Sequence, residues 1–276
     1  MADGIAAYAV EAFNTAKQSE NKMHDDSVAR RFGFAGGLVP GVEVLAYMLH
    51  QPVARWGRAF LERGLIEARF TKPVYDGEIA EVRAEEVGDG LRLGVTSKGE
   101  ICATGSASLP AVAPDVVLAG YRDVPPAAVR SAIGADSFAV GSWLGTAPRA
   151  WPGQAATAYL AEIRERDPIY ASERLGHPGM LQRVMNRLLV DNIVLGPWIH
   201  VGSRMQLLSA IAETDEITAR GRVVANYEKK GHRFVEIDAL VVANGTRPLA
   251  HCHHVAIYQP RAQAEHPVRR DVSAES

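Results

Sequence analysis

Cysteine is scarce in this chain: Cys102 and Cys252 are the only two among 276 residues. They form no C-x-x-C pair and no framework of bridges. That excludes a disulfide-stapled scaffold and makes a reduced, cytoplasmic protein the expectation. An excess of one charge is also lacking. The 30 Lys and Arg nearly balance the 32 Asp and Glu, for a formal net charge of -2. No overall field draws the chain to nucleic acid or to an anionic membrane. No run approaches the ~20 apolar residues that a bilayer span requires. The segment Phe234 to Val242 carries Glu236 and Asp238 and reads as a strand. The start, Met1-Ala2-Asp3-Gly4-Ile5, has no basic segment of a signal peptide, and the polar stretch from Gln263 to Ser276 is expected to fray. Gly33, Gly36 and Gly37 lack the strand-turn-helix context of a dinucleotide fingerprint.

What the chain does have is 47% hydrophobic residues, enough for one large domain or two of ordinary size. Its focal stretch runs Ser19-Glu20-Asn21-Lys22-Met23-His24-Asp25-Asp26, then Gly33-Phe34-Ala35-Gly36-Gly37-Leu38-Val39-Pro40-Gly41. A polar cluster with one imidazole thus precedes a glycine-rich loop ending at a Pro-Gly pair. Val42, Leu45, Ala46 and Leu49 follow at helical spacing, and Val53, Trp56 and Phe60 continue the stripe to Gly64. This predicts a central helix, kinked or broken at Pro52. Ile5 to Phe13 fits either a short strand or a helical turn.

After Gly64 the period changes to two. Leu65 to Phe70, Ile79 to Val87, Leu91 to Thr96 and Ile101 to Leu109 read as strands, with a hairpin at Gly88-Asp89-Gly90. Pro110 to Pro126 reads as a linker, Ser137 to Leu144 as strand-like and Ala155 to Ile163 as a helix. The order then recurs. Pro178-Gly179 lies 138 positions after Pro40-Gly41, and Glu216-Ile217 the same distance after Glu78-Ile79. A second helix holds Met180, Leu181, Val184, Met185, Leu188 and Leu189. Strands follow at Ile217 to Tyr227, Arg233 to Val242 and Leu249 to Tyr258, with turns at Lys229-Lys230-Gly231 and Asn244-Gly245-Thr246. The second hairpin is about ten residues longer, because Ile257 matches Leu109 at a spacing of 148. The pattern predicts an α+β chain of two units, 1–125 and 126–276, each a curved antiparallel sheet around an apolar helix.

The segment His24-Asp25-Asp26 through Pro40-Gly41, followed by Phe70-x-Lys72-Pro73-Val74-Tyr75-x-Gly77, resembles the MaoC-like acyl dehydratases, including the (R)-specific enoyl-CoA hydratases, of the hotdog fold. With two units the chain resembles a double hotdog. The resemblance implies a lyase that adds or removes water at the α,β position of an acyl thioester, with coenzyme A as substrate handle and no resident cofactor. It also implies a pocket between the two helices and a homodimer as a candidate assembly. The family signature Asp-x-Asn-Pro-x-His falls on Ser19 to His24. Asn21 and His24 match; Ser19 stands at the Asp position and Lys22 at the Pro position. In the second unit the signature falls on Glu165-Arg166-Asp167-Pro168-Ile169-Tyr170, with Tyr170 at the His position.

The candidate catalytic residues are therefore His24, Asn21, Glu20, Asp26 and Gly41. His24 is the acid/base candidate, with Glu20, Asp25 or Asp26 as the carboxylate that would fix its tautomer. Asp25 and Asp26 also suit helix capping, and Gly41 N–H is the candidate oxyanion donor. Arg30, Arg31, Arg69 and Lys72 are candidate contacts for coenzyme A phosphates. His251-Cys252-His253-His254 resembles a metal cluster, but strand alternation puts only two ligands on each face, too few for a closed zinc site. An acyl thioesterase and a non-catalytic acyl-binding subunit remain open beside the lyase.

Overall fold

The computed structural model describes residues 5–134, 136–151 and 153–261. The tail named above and the first four residues lie outside this range. Six helices occur among the described residues: α1 (Asp26–Arg31), α2 (Gly41–Trp56), α3 (Arg58–Arg63), α4 (Gly153–Glu162), α5 (Ile169–Ser172) and α6 (Gly179–Val190). None is long and apolar enough to cross a membrane.

Apart from two short two-stranded pairs, the strands among the described residues make one antiparallel sheet with its seam in the middle. On one side the order is Tyr8–Glu11, Ile79–Val87, Gly90–Ser97, Glu100–Ser108, Leu65–Phe70; on the other it is Ile199–Leu207, Arg247–Gln259, His232–Ala243, Glu216–Lys229, Trp143–Gly145. The two predicted sheets are thus continuous. Leu65–Phe70 pairs antiparallel with Ile199–Leu207, in the register Glu67 with Arg204 and Ile66 with Met205. The order on either side mirrors the other, so α2 and α6 sit against equivalent surfaces and pack on each other.

The turn chemistry explains the meanders. Gly88, Lys230, Gly231, Asn244 and Gly245 all have positive φ, as tight hairpins require. The C-terminal hairpins are longer: His232–Ala243 and Arg247–Gln259 exceed Gly90–Ser97 and Glu100–Ser108. Tyr8–Glu11 is a strand, and of the strand-like stretch from Ser137 only Trp143–Gly145 joins the sheet.

α2 is apolar on almost every face, and Val42 to Leu49 are all buried. Sheet on one side and α6 on another cover it. Of the kink or break expected at Pro52, the break does not occur. Pro52 lies inside the continuous helix, and the chain breaks instead at Gly57, whose φ of 56° ends α2 while its N–H bonds Val53 O at 2.7 Å. Proline removes one helical donor but keeps a helical φ; the left-handed glycine does not, so the stop falls there.

Candidate active site

The site begins with Asn21. Its Oδ1 accepts Met23 N–H at 3.2 Å and caps the short 3-10 turn Lys22–His24. The same oxygen accepts Trp198 N–H at 3.1 Å, and Nδ2 donates to Trp198 O at 2.9 Å. One side chain therefore clamps a loop of the first half to the strand entrance of the second. The other Nδ2 hydrogen faces His24 Nε2 at 3.2 Å.

His24 Nδ1 lies 2.7 Å from the Leu38 carbonyl. A carbonyl only accepts, so Nδ1 carries the proton and Nε2 presents a lone pair. Burial lowers the His24 pKa, and the Leu38 carbonyl offsets part of that shift. The ring is thus neutral near pH 7, with its tautomer set by a backbone carbonyl and its orientation by an amide. Asn14 Nδ2 holds the His24 carbonyl at 2.9 Å, and a Cβ on Gly37 would collide with that carbonyl, so only glycine lets the loop pass here.

No carboxylate among the described residues hydrogen-bonds His24, which corrects the expected partner. Glu20 turns to Arg130, at 2.9 and 3.2 Å. Asp25 caps α1, accepting Ser27 N–H at 2.9 Å and Val28 N–H at 3.1 Å. Asp26 Oδ1 accepts Gly37 N–H at 2.7 Å, so it shapes the glycine loop. Each carboxylate satisfies the nearest orphan donor or cation, which leaves none for the imidazole.

His24 borders three hollows. The largest, about 720 Å³, runs between the halves and is lined by Ser19, Glu20, Asn21, Glu43 and Asn186, among others. A second, about 530 Å³, opens over Asp26, Arg30 and Tyr75. The third, about 30 Å³, has room for a single water-sized group and is lined by Gly41, Asn186, Trp198 and His200 as well as His24. His24 and Gly41 therefore share one small cavity. Gly41 is the first residue of α2, where N–H groups lack intrahelical partners and the helix dipole is positive.

Of the candidate phosphate contacts, Arg30 lines the second hollow, with Nε on Ala35 O at 3.2 Å. Arg31, Arg69 and Lys72 line none of the three. Alternation explains Arg69: Ile66 and Ala68 point into the core, so Glu67 and Arg69 face outward. Lys72 pairs with Glu100 at 2.6 Å.

The cationic wall comes instead from Arg130, Arg183 and Arg187. Sequence reasoning missed it, although the signal was present: Arg183, Asn186, Arg187 and Val190 form an i, i+3, i+4, i+7 stripe on α6. It also missed Glu43, an acid inside the apolar run of α2. Glu43 is 1% exposed and accepts Arg183 Nε at 2.8 Å and Thr15 Oγ1 at 3.1 Å. Burial raises its pKa, with Arg183 pulling the other way.

The matching place in the second half is filled. Tyr170, at the His position, is buried, and Glu165 accepts His50 Nδ1 at 2.8 Å and the Arg166 and Asp167 N–H groups. Burial pushes the Glu165 pKa up, but His177 and His50 outweigh it and hold the carboxyl well below the usual carboxylate range. None of Glu165, Tyr170 and His177 lines the three hollows.

The four-residue histidine cluster divides by alternation. His251 and His253 meet Asp238 and Glu236 at 2.6 and 2.9 Å, while Cys252 and His254 point inward. There Ser203 Oγ joins His200 at 2.7 Å, His254 at 3.2 Å and Gln182 at 2.9 Å. Burial pushes His200 down to about 3 and His254 well below its ordinary value. Both stay neutral in the folded chain at pH 7, whereas the unfolded chain takes up their protons first. Their contribution is complete above about pH 6.5 and is lost as pH falls from there toward 3. Thermal melts are expected to show a falling Tm over that window. A His254→Phe variant is expected to flatten the fall, and an unchanged slope would contradict this assignment.

Asn21→Leu removes the clamp and the donor to His24 together. It is expected to lower turnover at least ~10-fold, because a small misplacement of an acid/base group costs rate steeply. Asn21→Asp, which keeps the acceptor but loses the donors, should not restore it. Steady-state kinetics on both variants reads the effect.

No family model matches the sequence, and no curated protein does. Solved structures do. A MaoC domain protein from Chloroflexus aurantiacus superposes with a TM-score of 0.64 at 10% identity, over 94% of this chain and 96% of its own. A Mycobacterium tuberculosis protein with a double hotdog fold gives 0.63 at 13% identity, over 93% and 96%. A dehydratase from the difficidin assembly line gives 0.52 at 12% identity, over 95% of each chain. The chain has the double hotdog fold.

Proposed function

We propose that this protein adds water to, or removes it from, the α,β position of an acyl thioester, with His24 as the acid/base. The observation that carries the reading is the cavity shared by His24 and the first residue of α2, with the His24 proton on Nδ1. In hydration, Nε2 exchanges its hydrogen bond from Asn21 Nδ2 for one from water and takes that water's proton as the water oxygen bonds to Cβ. The Cα=Cβ electrons move to Cα and the thioester carbonyl, giving an enolate whose oxygen rests on Gly41 N–H. The imidazolium then returns the proton to Cα, and the carbonyl re-forms. Dehydration is the reverse.

Asn21 acts as a positioning residue, since both its Nδ2 hydrogens and its oxygen are already engaged within the protein. Ser19 lines the main cavity where the hydratase signature has its acid, so one residue carries the proton both ways. The similarity to dehydratase structures supports the scaffold; the reaction rests on the site. A panel of enoyl thioesters followed at the enoyl absorbance tests it. Loss of the enoyl signal with the thioester intact supports hydration, and release of free thiol instead would make the protein a thioesterase.

A further inference from the structure

His251 and His253 are the part of the histidine run that the lyase reading leaves unused. They stand two residues apart on the strand Arg247–Gln259, so both rings leave the same face of the sheet. Cys252 and His254 are buried on the opposite face. The two outward side chains keep 30% and 38% of their surface exposed, enough for an ion to reach them. Neither lines any of the three hollows around His24.

The same arrangement holds each ring. His251 Nε2 meets Asp238 Oδ1 at 2.6 Å, and Tyr121 O–H donates to Asp238 Oδ2 at 3.0 Å. His253 Nε2 meets Glu236 Oε2 at 2.9 Å, and Tyr227 O–H donates to Glu236 Oε1 at 3.0 Å. Both oxygens of each carboxylate are thus engaged, which fixes the acids as well as the rings. A carboxylate only accepts, so Nε2 carries a proton in each ring, and a neutral ring presents its lone pair at Nδ1. Neither Nδ1 has a protein partner among the described residues.

A carboxylate that orients an imidazole through one nitrogen, with the other nitrogen open, is the outer part of a histidine–metal site. The two acids also place negative charge beside the pair, which favours a dication. No group of three or more His, Cys, Asp or Glu among the described residues is placed to hold a metal ion, so the protein supplies two ligands and water the others. Two imidazoles with open positions suit copper(II), which takes tetragonal nitrogen and oxygen ligands and binds tightest in the divalent first-row series. Magnesium prefers oxygen donors throughout.

We propose that His251 and His253 form an open surface site for a late first-row divalent cation, bound most tightly as Cu2+, with Asp238 and Glu236 orienting the rings. Copper(II) alone, titrated into the full chain at neutral pH, tests this. Calorimetry is expected to give a site that Mg2+ does not occupy, and electron paramagnetic resonance to show nitrogen ligands. His251→Gln and His253→Gln are each expected to weaken binding at least ~10-fold, and Asp238→Asn ~10-fold or more, the usual cost of losing an orienting partner. His24→Gln should leave copper affinity unchanged. Cu2+ should raise the Tm of the natural chain but not that of the double histidine variant, whose metal-free melt reports that it folds. If the double variant does not fold, the single variants decide. Copper affinity that survives loss of both imidazoles, that vanishes in His24→Gln, or that is no greater than for Mg2+ would overturn the proposal. None of these outcomes bears on the acyl-thioester reading.

Discussion

His24→Ala is expected to lower kcat on an enoyl thioester by roughly 10²–10⁴, the range that a positioned proton carrier contributes. The reason is geometric. Among the described residues the ring is the only imidazole bordering both the main cavity and the small one, and the carboxylates near it supply no substitute. Glu20 is tied to Arg130, Asp25 to the start of α1 and Asp26 to Gly37. The fold should survive, because His24 is half-buried and the capping by Asn21 and Asp25 does not need the ring. His24→Gln keeps a polar side chain without a base and should be as inactive as Ala. The lowered pKa of His24 also sets a pH dependence. A base must be unprotonated, so the acid limb of kcat/KM should fall below pH 6.5, not above it. Full activity in His24→Ala would remove the imidazole from the mechanism.

The second large effect concerns stability. Arg183→Met is expected to cost about 3 kcal/mol, because it leaves the Glu43 carboxylate buried in α2 without its cation. Arg183 also covers the Tyr159 ring at 4.3 Å and reaches Glu162, so packing is lost with charge. Replacing both partners, as in Glu43→Leu with Arg183→Met, should recover much of the loss, since an apolar pair carries no desolvation penalty. Urea unfolding of the two single variants and the double variant gives the coupling. Additive losses would show that the pair does not act as a unit across the two central helices.

The fold was legible in the sequence because its cues are local and repeated. Pro40-Gly41 and Pro178-Gly179 start the helices, and glycine, lysine and asparagine turns end the strands. The alternation of His251 to His254 foretold how the four divide between two faces, but not that Cys252 and His254 would be buried. Helix continuity through Pro52 was not legible, since the stop is set by the backbone of Gly57, five residues on. Within the site, Asn21, His24 and Gly41 lie close along the chain, and the structure gathers them at one small cavity. The missing part is long-range. Trp198 reaches Asn21 from 177 positions away, and Arg130 reaches Glu20 from 110. Which charged side chains line the cavity depends on how α6 and the linker lie against the first loop, and local pattern does not encode that. Arg69 and Lys72 were chosen by charge alone; the pleat and Glu100 turn them elsewhere.

The central claim is that the His24 and Gly41 cavity directs water to carbon and leaves the thioester bond whole. Incubation of an enoyl thioester in heavy-oxygen water, followed by mass spectrometry of the acyl product, reads this directly. The expected result is one heavy oxygen at Cβ in an intact thioester, lost in His24→Ala. Heavy oxygen in a free carboxylic acid, with thiol released and Cβ unlabelled, would contradict it.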